Sequence, residues 1–257
     1  MEAEIFDSHA HYDDARFDEE RDTLLATLFA NGVTGIVNVG TNPQTIRSTL
    51  SLAQTYPALY AAVGFYPHET HHCTDADYLW LETILQHPKV VAIGEIGLDF
   101  HYDDAPREVQ LAAFDRQMQL AQKTGFPVVI HDREAHGACM DMVRRYPKVQ
   151  GVFHSYSGSA EMAKELIARG WMISFSGSVT FKNAHHLWEA AQAVPLEAML
   201  LETDAPYLAP VPMRGKTNHS DYIRYTAEKI AQLKDLPTAQ VLTACAQNAR
   251  RFFRLHG

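Results

Sequence analysis

What most restricts the folding of this chain is a rhythm. Eight short apolar runs rich in β-branched residues recur from one end to the other, each followed by a longer stretch of helical periodicity. The runs are EIFDSH (from Glu4), GIVNVG (from Gly35), LYAAVGF (from Leu59), VVAIGEIG (from Val90), PVVIH (from Pro127), GVFHS (from Gly151), MISFSG (from Met172) and MLLETD (from Met199). Between the first two, Leu24, Leu25, Leu28 and Phe29 form a helical stripe closed by Gly32. Leu111, Phe114, Met118 and Ala121 repeat the pattern before the fifth run, and two further helical patterns follow the eighth. Eight strand–helix units in 257 residues predict an α/β fold, a TIM-type (β/α)8 barrel with extra C-terminal helices. With no linker or shift in composition, one domain is expected over residues 1–257. The competing fold, an open doubly wound sheet, usually carries a glycine-rich phosphate loop after its first strand. Here that strand runs into SHAHYD.

Composition narrows the partners. Lys and Arg total 22 against 31 Asp and Glu, a formal charge of −9. Such a balance disfavours sequence-blind wrapping of duplex nucleic acid, which needs many phosphate contacts. It leaves room for a phosphate gripped in a pocket where cations supply the positive charge. Cys73, Cys139 and Cys245 are far apart and form no CxxC, so reduced thiols in the cytoplasm are expected. The acidic N-terminus does not read as a signal peptide. No apolar run approaches the roughly 18 residues of a membrane span, and nothing marks a stable protein partner. Fourteen histidines are the oddity, pointing to metal or acid–base chemistry.

The placement of polar residues is more telling than their number. The first strand ends at His9 and His11, the fourth at Glu95, the fifth at His131, the sixth at His154 and the eighth at Asp204. A parallel barrel gathers the C-terminal ends of its strands on one face, where barrel enzymes keep their sites. Any one of these residues alone reads as a turn cap; six together read as a metal centre. Four imidazoles and two carboxylates suit Zn²⁺, Mn²⁺ or Co²⁺, with Mg²⁺ accepted through the oxygens. Six donors exceed one tetrahedral shell, so two divalent ions are expected. His9 and His11 would serve one and His131 and His154 the other, with Glu95 between them. Asp204 would ligate or take a proton from water. By strand alternation Asp7 should project with His9 and His11 as a helper.

DSHAHYD, EIGLDF, IHDREA, FHSYSGS, ISFSG and LETDAPYL, with RGKTN and NARRFF near the end, resemble the TatD family of metal-dependent deoxyribonucleases, within the amidohydrolase-like barrels. The likeness spans almost the whole chain in order. It implies two divalent metals, phosphodiester hydrolysis with DNA as the substrate, and ligands at the same six positions. Three segments depart from the pattern. Tyr66 stands where many relatives have histidine, HSYSG replaces HCFSG, and His219-Ser220 stands where relatives often place proline.

Candidates for substrate contact are His68, Arg133 and Lys216. HETHH, from His68, formally matches the zinc-protease HExxH, but that motif needs a helix and here it follows Tyr66-Pro67 in an expected loop. Arg133 can hold a phosphate oxygen or pair with a nearby acid. Arg214 and Lys216 form a small basic cluster that can steer a phosphate backbone or simply face solvent. Asp99 can orient a ligand histidine or start a turn. Two rivals share this donor set: an amidohydrolase or deacylase acting on an amide or ester, and a non-catalytic metal-binding protein.

Overall fold

The computed structural model describes residues 4–102 and 104–255. Eight strands form one parallel sheet in the order β1 to β8. They are β1 Ile5–Ala10, β2 Val33–Gly40, β3 Leu59–Val63, β4 Val90–Asp99, β5 Val128–Arg133, β6 Gly151–Phe153, β7 Met172–Phe175 and β8 Met199–Leu201. The α-helices among the described residues are α1 Arg21–Ala30, α2 Pro43–Thr55, α3 Asp75–Ile84, α4 Arg107–Thr124, α5 His136–Arg145, α6 Ala160–Ala168, α7 His185–Ala193, α8 Ile223–Lys234 and α9 Thr238–Phe252. The expected barrel is therefore present. No helix among the described residues is long and apolar enough to cross a membrane.

Alternating side chains divide the apolar core in two. Phe6, Val37, Val39, Ala62, Val129 and Leu200 fill the barrel, and Ala246, Ala249 and Phe253 from and just after α9 pack beneath them. The Phe253 ring stacks on Phe6 at 6.4 Å. Ile36, Ile93, Ile130, Phe153 and Ile173 belong to the larger cluster shared with the helices. One end of the barrel is thus closed by hydrocarbon, leaving the C-terminal ends of the strands for chemistry.

The seam between β1 and β8 has no continuous ladder. A single parallel bridge, Ala10 with Ala205, joins them, flanked by Asp204 N–H to His9 C=O (2.9 Å) and His11 N–H to Ala205 C=O (2.7 Å). The buried Asp7 carboxylate completes the closure. It accepts from the Thr203 N–H (3.0 Å), the Thr203 hydroxyl (2.6 Å) and the Ser220 hydroxyl (2.7 Å). Asp7 is therefore not the metal helper that strand alternation suggested. The pairing slips by one residue between Asp7 and Ala10, a bulge that brings both Ser8 and His9 inside. Ser8 reaches Ser174 on β7 (3.1 Å), while His9 reaches Glu95 on β4 (3.4 Å). Bulges commonly re-aim side chains in this way beside functional sites.

The α4 stripe also differs from expectation. Phe114, Met118 and Ala121 are buried, but Leu111 is exposed and Gln110 and Gln117 are buried instead. Both amides find backbone partners, as buried polar groups must. Gln110 bonds the N–H and C=O of Asp99 (2.9 Å each). Gln117 does the same for Phe65 (2.8 and 3.1 Å). Two polar side chains thereby fix the chain beside the mouth.

Candidate metal centre

Glu95 lies at the middle of the mouth with its two oxygens facing different histidine pairs. Oε1 is 2.7 Å from His131 Nδ1 and 2.8 Å from His154 Nε2. Oε2 is 3.4 Å from His9 Nε2 and 3.9 Å from His11 Nε2. Asp204 Oδ1 joins the second group, 3.7 Å from His9 Nε2 and 3.5 Å from His11 Nε2. Within the pairs, the inward nitrogens are 3.1 Å apart for His9 and His11 and 3.4 Å for His131 and His154. A second bulge, between Ile93 and Ile96 of β4, carries Glu95. At Asp204 the backbone turns left-handed (φ 56°), a region aspartate tolerates.

The outward nitrogens settle what the inward ones offer. His11 Nδ1 meets the Val39 carbonyl (3.0 Å), an acceptor only, so this nitrogen carries a proton and Nε2 is the one turned to the mouth. His131 Nε2 meets Asp99 Oδ2 (3.1 Å), leaving Nδ1 for the mouth. His154 Nδ1 faces Glu202 Oε1 at 3.3 Å. Lone pairs of nitrogen and oxygen crowded at these distances repel unless something positive lies among them. Imidazole and carboxylate donors held from behind by carbonyl and carboxylate acceptors are the usual dress of a metal site. The residues fit divalent cations, and two triads, His9–His11–Glu95 and Glu95–His131–His154, have donor atoms close enough to share one ion each.

The field of the site agrees. Burial opposes charge on Glu95, but His154, His131 and His9 overcome it and hold the carboxyl well below its ordinary range. Burial likewise opposes charge on Asp204, and His11, His9 and His154 outweigh it, leaving the group ionised. His11, despite burial, is pushed up to about 9 by Asp204 and Glu95, so these carboxylates favour positive charge, a proton or a cation, at its Nε2. The cluster opens into a cavity of about 290 Å³, lined among others by His131, Arg133, His154, Ser155, Asp204 and Tyr207.

Comparison with known proteins converges on one family. The profile of "TatD related DNase" matches residues 6–254. The chain belongs to the TatD family. It is 36% identical over 254 residues to the uncharacterised metal-dependent hydrolase YabD of Bacillus subtilis, covering 98% of this chain and all of that one. It is 31% identical over 259 residues to a protein of Musicola paradisiaca named 3'-5' ssDNA/RNA exonuclease TatD, with 98% of both covered. The crystal structure of the Escherichia coli TatD homologue YjjV superposes with a TM-score of 0.92 at 29% identity, over 98% of each chain. This TatD-family chain is thus a metal-dependent hydrolase by kinship, and its His/Glu cluster is able to bind metal ions.

The remaining candidates of this TatD-family protein fall in different places. His68 lies at the mouth, its Nε2 3.6 Å from Asp99 Oδ2. HETHH forms a tight 3-10 helix, Pro67–His72, rather than the loop expected or the α-helix a zinc protease needs. Arg133 lines the cavity and pairs with no carboxylate among the described residues; its guanidinium lies 5.0 Å from the Tyr102 ring centroid. Lys216 is exposed on the turn after Met213 and does not line the cavity, while Arg214 covers Phe181 at 4.2 Å. Asp99 serves both roles open to it. Oδ2 faces His131, and Oδ1 accepts from the N–H groups of His101 and Tyr102 (3.0 and 3.3 Å). Burial opposes its charge, yet these partners hold it down to about 2.

Two residues at the site were not anticipated in these roles. Glu202, buried, accepts from the Ser155 N–H (2.6 Å) and stands behind the stacked rings of His154 and His9, 4.0 Å apart. Its carboxylate forms a further close group with His9 and His154. Tyr66, known from the sequence only as a departure, places its hydroxyl 3.1 Å from His131 Nε2 and 3.3 Å from Asp99 Oδ2. Burial pushes that phenol up, so it keeps its proton and donates to Asp99.

Proposed function

We propose that this protein is a metal-dependent phosphodiesterase that shortens DNA from an end, with His9, His11, Glu95, His131, His154 and Asp204 holding two divalent cations. The observation that carries the reading is the position of Glu95, one oxygen toward each histidine pair, beside a cavity that holds an unpaired arginine among the described residues. The kinship with an exonuclease-named relative supports the choice of nucleic acid.

Divalent cations bound here would supply Lewis acidity and lower the pKa of water from 15.7 to about 7. The chain's own residues do the rest. Asp204, ionised and lining the cavity, accepts the proton that the attacking water loses. Arg133 holds a non-bridging oxygen of the phosphodiester and orients it toward that water. The hydroxyl of Ser155, bonded to that of Ser176 at 2.9 Å, offers a neutral hydrogen bond on the same wall. Asp99, Glu202 and the Val39 carbonyl keep the imidazoles in one tautomer through the cycle. The reduced cysteines are in keeping with a cytoplasmic setting, which belongs to the same proposal.

The test is an assay of the protein loaded with Mg²⁺, Mn²⁺ or Zn²⁺ on linear single-stranded DNA, closed circular DNA and a panel of amides and esters. Cleavage of the linear strand with the circle intact is expected. Equal rates on circle and linear DNA would remove the end preference, and turnover confined to the amide and ester panel would replace the nuclease by a deacylase.

A further inference from the structure

Few large apolar side chains are exposed among the described residues, and the two aromatic ones are Tyr102 and Tyr207, 48% and 46% exposed. Both stand at the mouth. Tyr102 follows β4 and Tyr207 follows the segment after β8. In a barrel whose strands run β1 to β8 in order, β4 and β8 lie on opposite sides, so the tyrosines occupy opposite rims. Tyr207 is edge-on to His11 at 6.4 Å, and Tyr102 is edge-on to His68 at 5.6 Å. The metal-type donors therefore lie between them.

Each ring carries an arginine. The Arg16 guanidinium is 4.1 Å from the centroid of Tyr207, and that of Arg133 is 5.0 Å from Tyr102. On the Tyr207 side the arrangement is braced, since Asp14 Oδ2 accepts from the Tyr207 hydroxyl (3.2 Å) and from Arg16 (3.1 Å). Water solvates an exposed aromatic face poorly, and a planar π-system can occupy it. Nucleobases stack on such rings whatever their sequence, and a neighbouring arginine adds a cation–π contact and a charge for the backbone. On a chain of formal charge −9, Arg133, with no carboxylate partner among the described residues, is the cation open to a polyanion here, while the charge of Arg16 is shared with Asp14.

We propose that Tyr102 and Tyr207 are stacking platforms for two bases of a single-stranded nucleic acid, one on each side of the phosphodiester presented to Glu95. This rests on the nucleic-acid reading above and adds to it the two side chains that hold the bases, by stacking and without regard to sequence.

The experiment compares cation-loaded wild type with Tyr102→Ala, Tyr207→Ala, Tyr102→Phe and Tyr207→Phe. The probes are an end-labelled oligodeoxythymidylate and the same backbone with abasic sites. Binding is read by fluorescence anisotropy on phosphorothioate strands at fixed salt, and cleavage on natural ones. Wild type should prefer the base-bearing strand by roughly 5- to 100-fold per stacked base. Each alanine variant should lose that factor for one base, and each phenylalanine variant should keep it. A wild type that binds both strands equally, or alanine variants that retain the full preference, would overturn the platforms. Cleavage without base preference would leave the nuclease standing and remove the platforms. Preferential binding without cleavage would do the reverse, and neither binding nor cleavage would end both.

Discussion

Behind His9 and His154 sits one carboxylate, Glu202, whose nearest oxygen is 3.3 Å from His154 Nδ1. The two rings belong to different donor groups around Glu95, and this one carboxylate lies close to both. Replacing Glu202 by Gln keeps the shape and removes the charge. It should weaken cation binding about 10- to 100-fold, measured by calorimetric titration of ion-free protein, with both binding steps affected. A change confined to one step would limit Glu202 to one histidine. His219 is half-buried and packed on Tyr222 at 3.8 Å. Burial lowers its pKa, against a smaller opposing pull from Asp221. The neutral ring is favoured in the folded state, so its stabilisation is complete above the ordinary value of 6.5 and is lost as pH falls below it. Denaturation midpoints at pH 7.5 and 5 should therefore differ less in His219→Phe than in wild type. The convergence of the six proposed donors was legible because each ends a strand-like run. Glu202 was not, since it lies inside the same LETD stretch two residues before Asp204, whose role absorbed the motif.

At the level of elements, the mouth depends on two strands that break their own alternation. The bulges at Asp7–Ala10 and Ile93–Ile96 put His9 and Glu95 inside the barrel. Neither slip is written in the apolar pattern, because alternation assumes an unbroken ladder and the extra residue shows only in the pairing. That is why Asp7 was expected with His9 and instead turned to Thr203 and Ser220. The exchange of Leu111 for Gln110 and Gln117 on α4 has a similar origin. A glutamine reads as solvent-facing until the backbone groups it serves are known. Gly97 completes the element-scale constraints. It pairs with His131 at φ 137°, and a Cβ there would run into the His131 carbonyl. Gly97→Ala should destabilise the fold by at least about 2 kcal/mol and lower cation affinity by displacing β5. Urea unfolding and the same titration measure both, and an alanine variant equal to wild type in each would show the close approach to be unimportant.

For the molecule as a whole, the alternation of strand and helix carried the fold from sequence to structure. What it could not carry was how the first and last strands meet. They do so through one bridge and a buried carboxylate, in a closure spanning 196 positions between Asp7 and Thr203. The donors proposed for one cation, His9 and His11 on one side and Asp204 on the other, straddle that seam. Chelation should consequently lower the melting temperature. At a cation concentration 100-fold above its dissociation constant the stabilisation is about 2.7 kcal/mol, or roughly 5–10 °C for a chain of this size, readable by calorimetry. Hydrogen exchange should report the same event locally, slowing at Ala10 and Ala205 when the ion is added and staying unchanged along α4. An ion seated there works as a buckle on a hoop. The protein's readiness for catalysis and the integrity of its circumference become one property, and a cell short of the metal would lose both together.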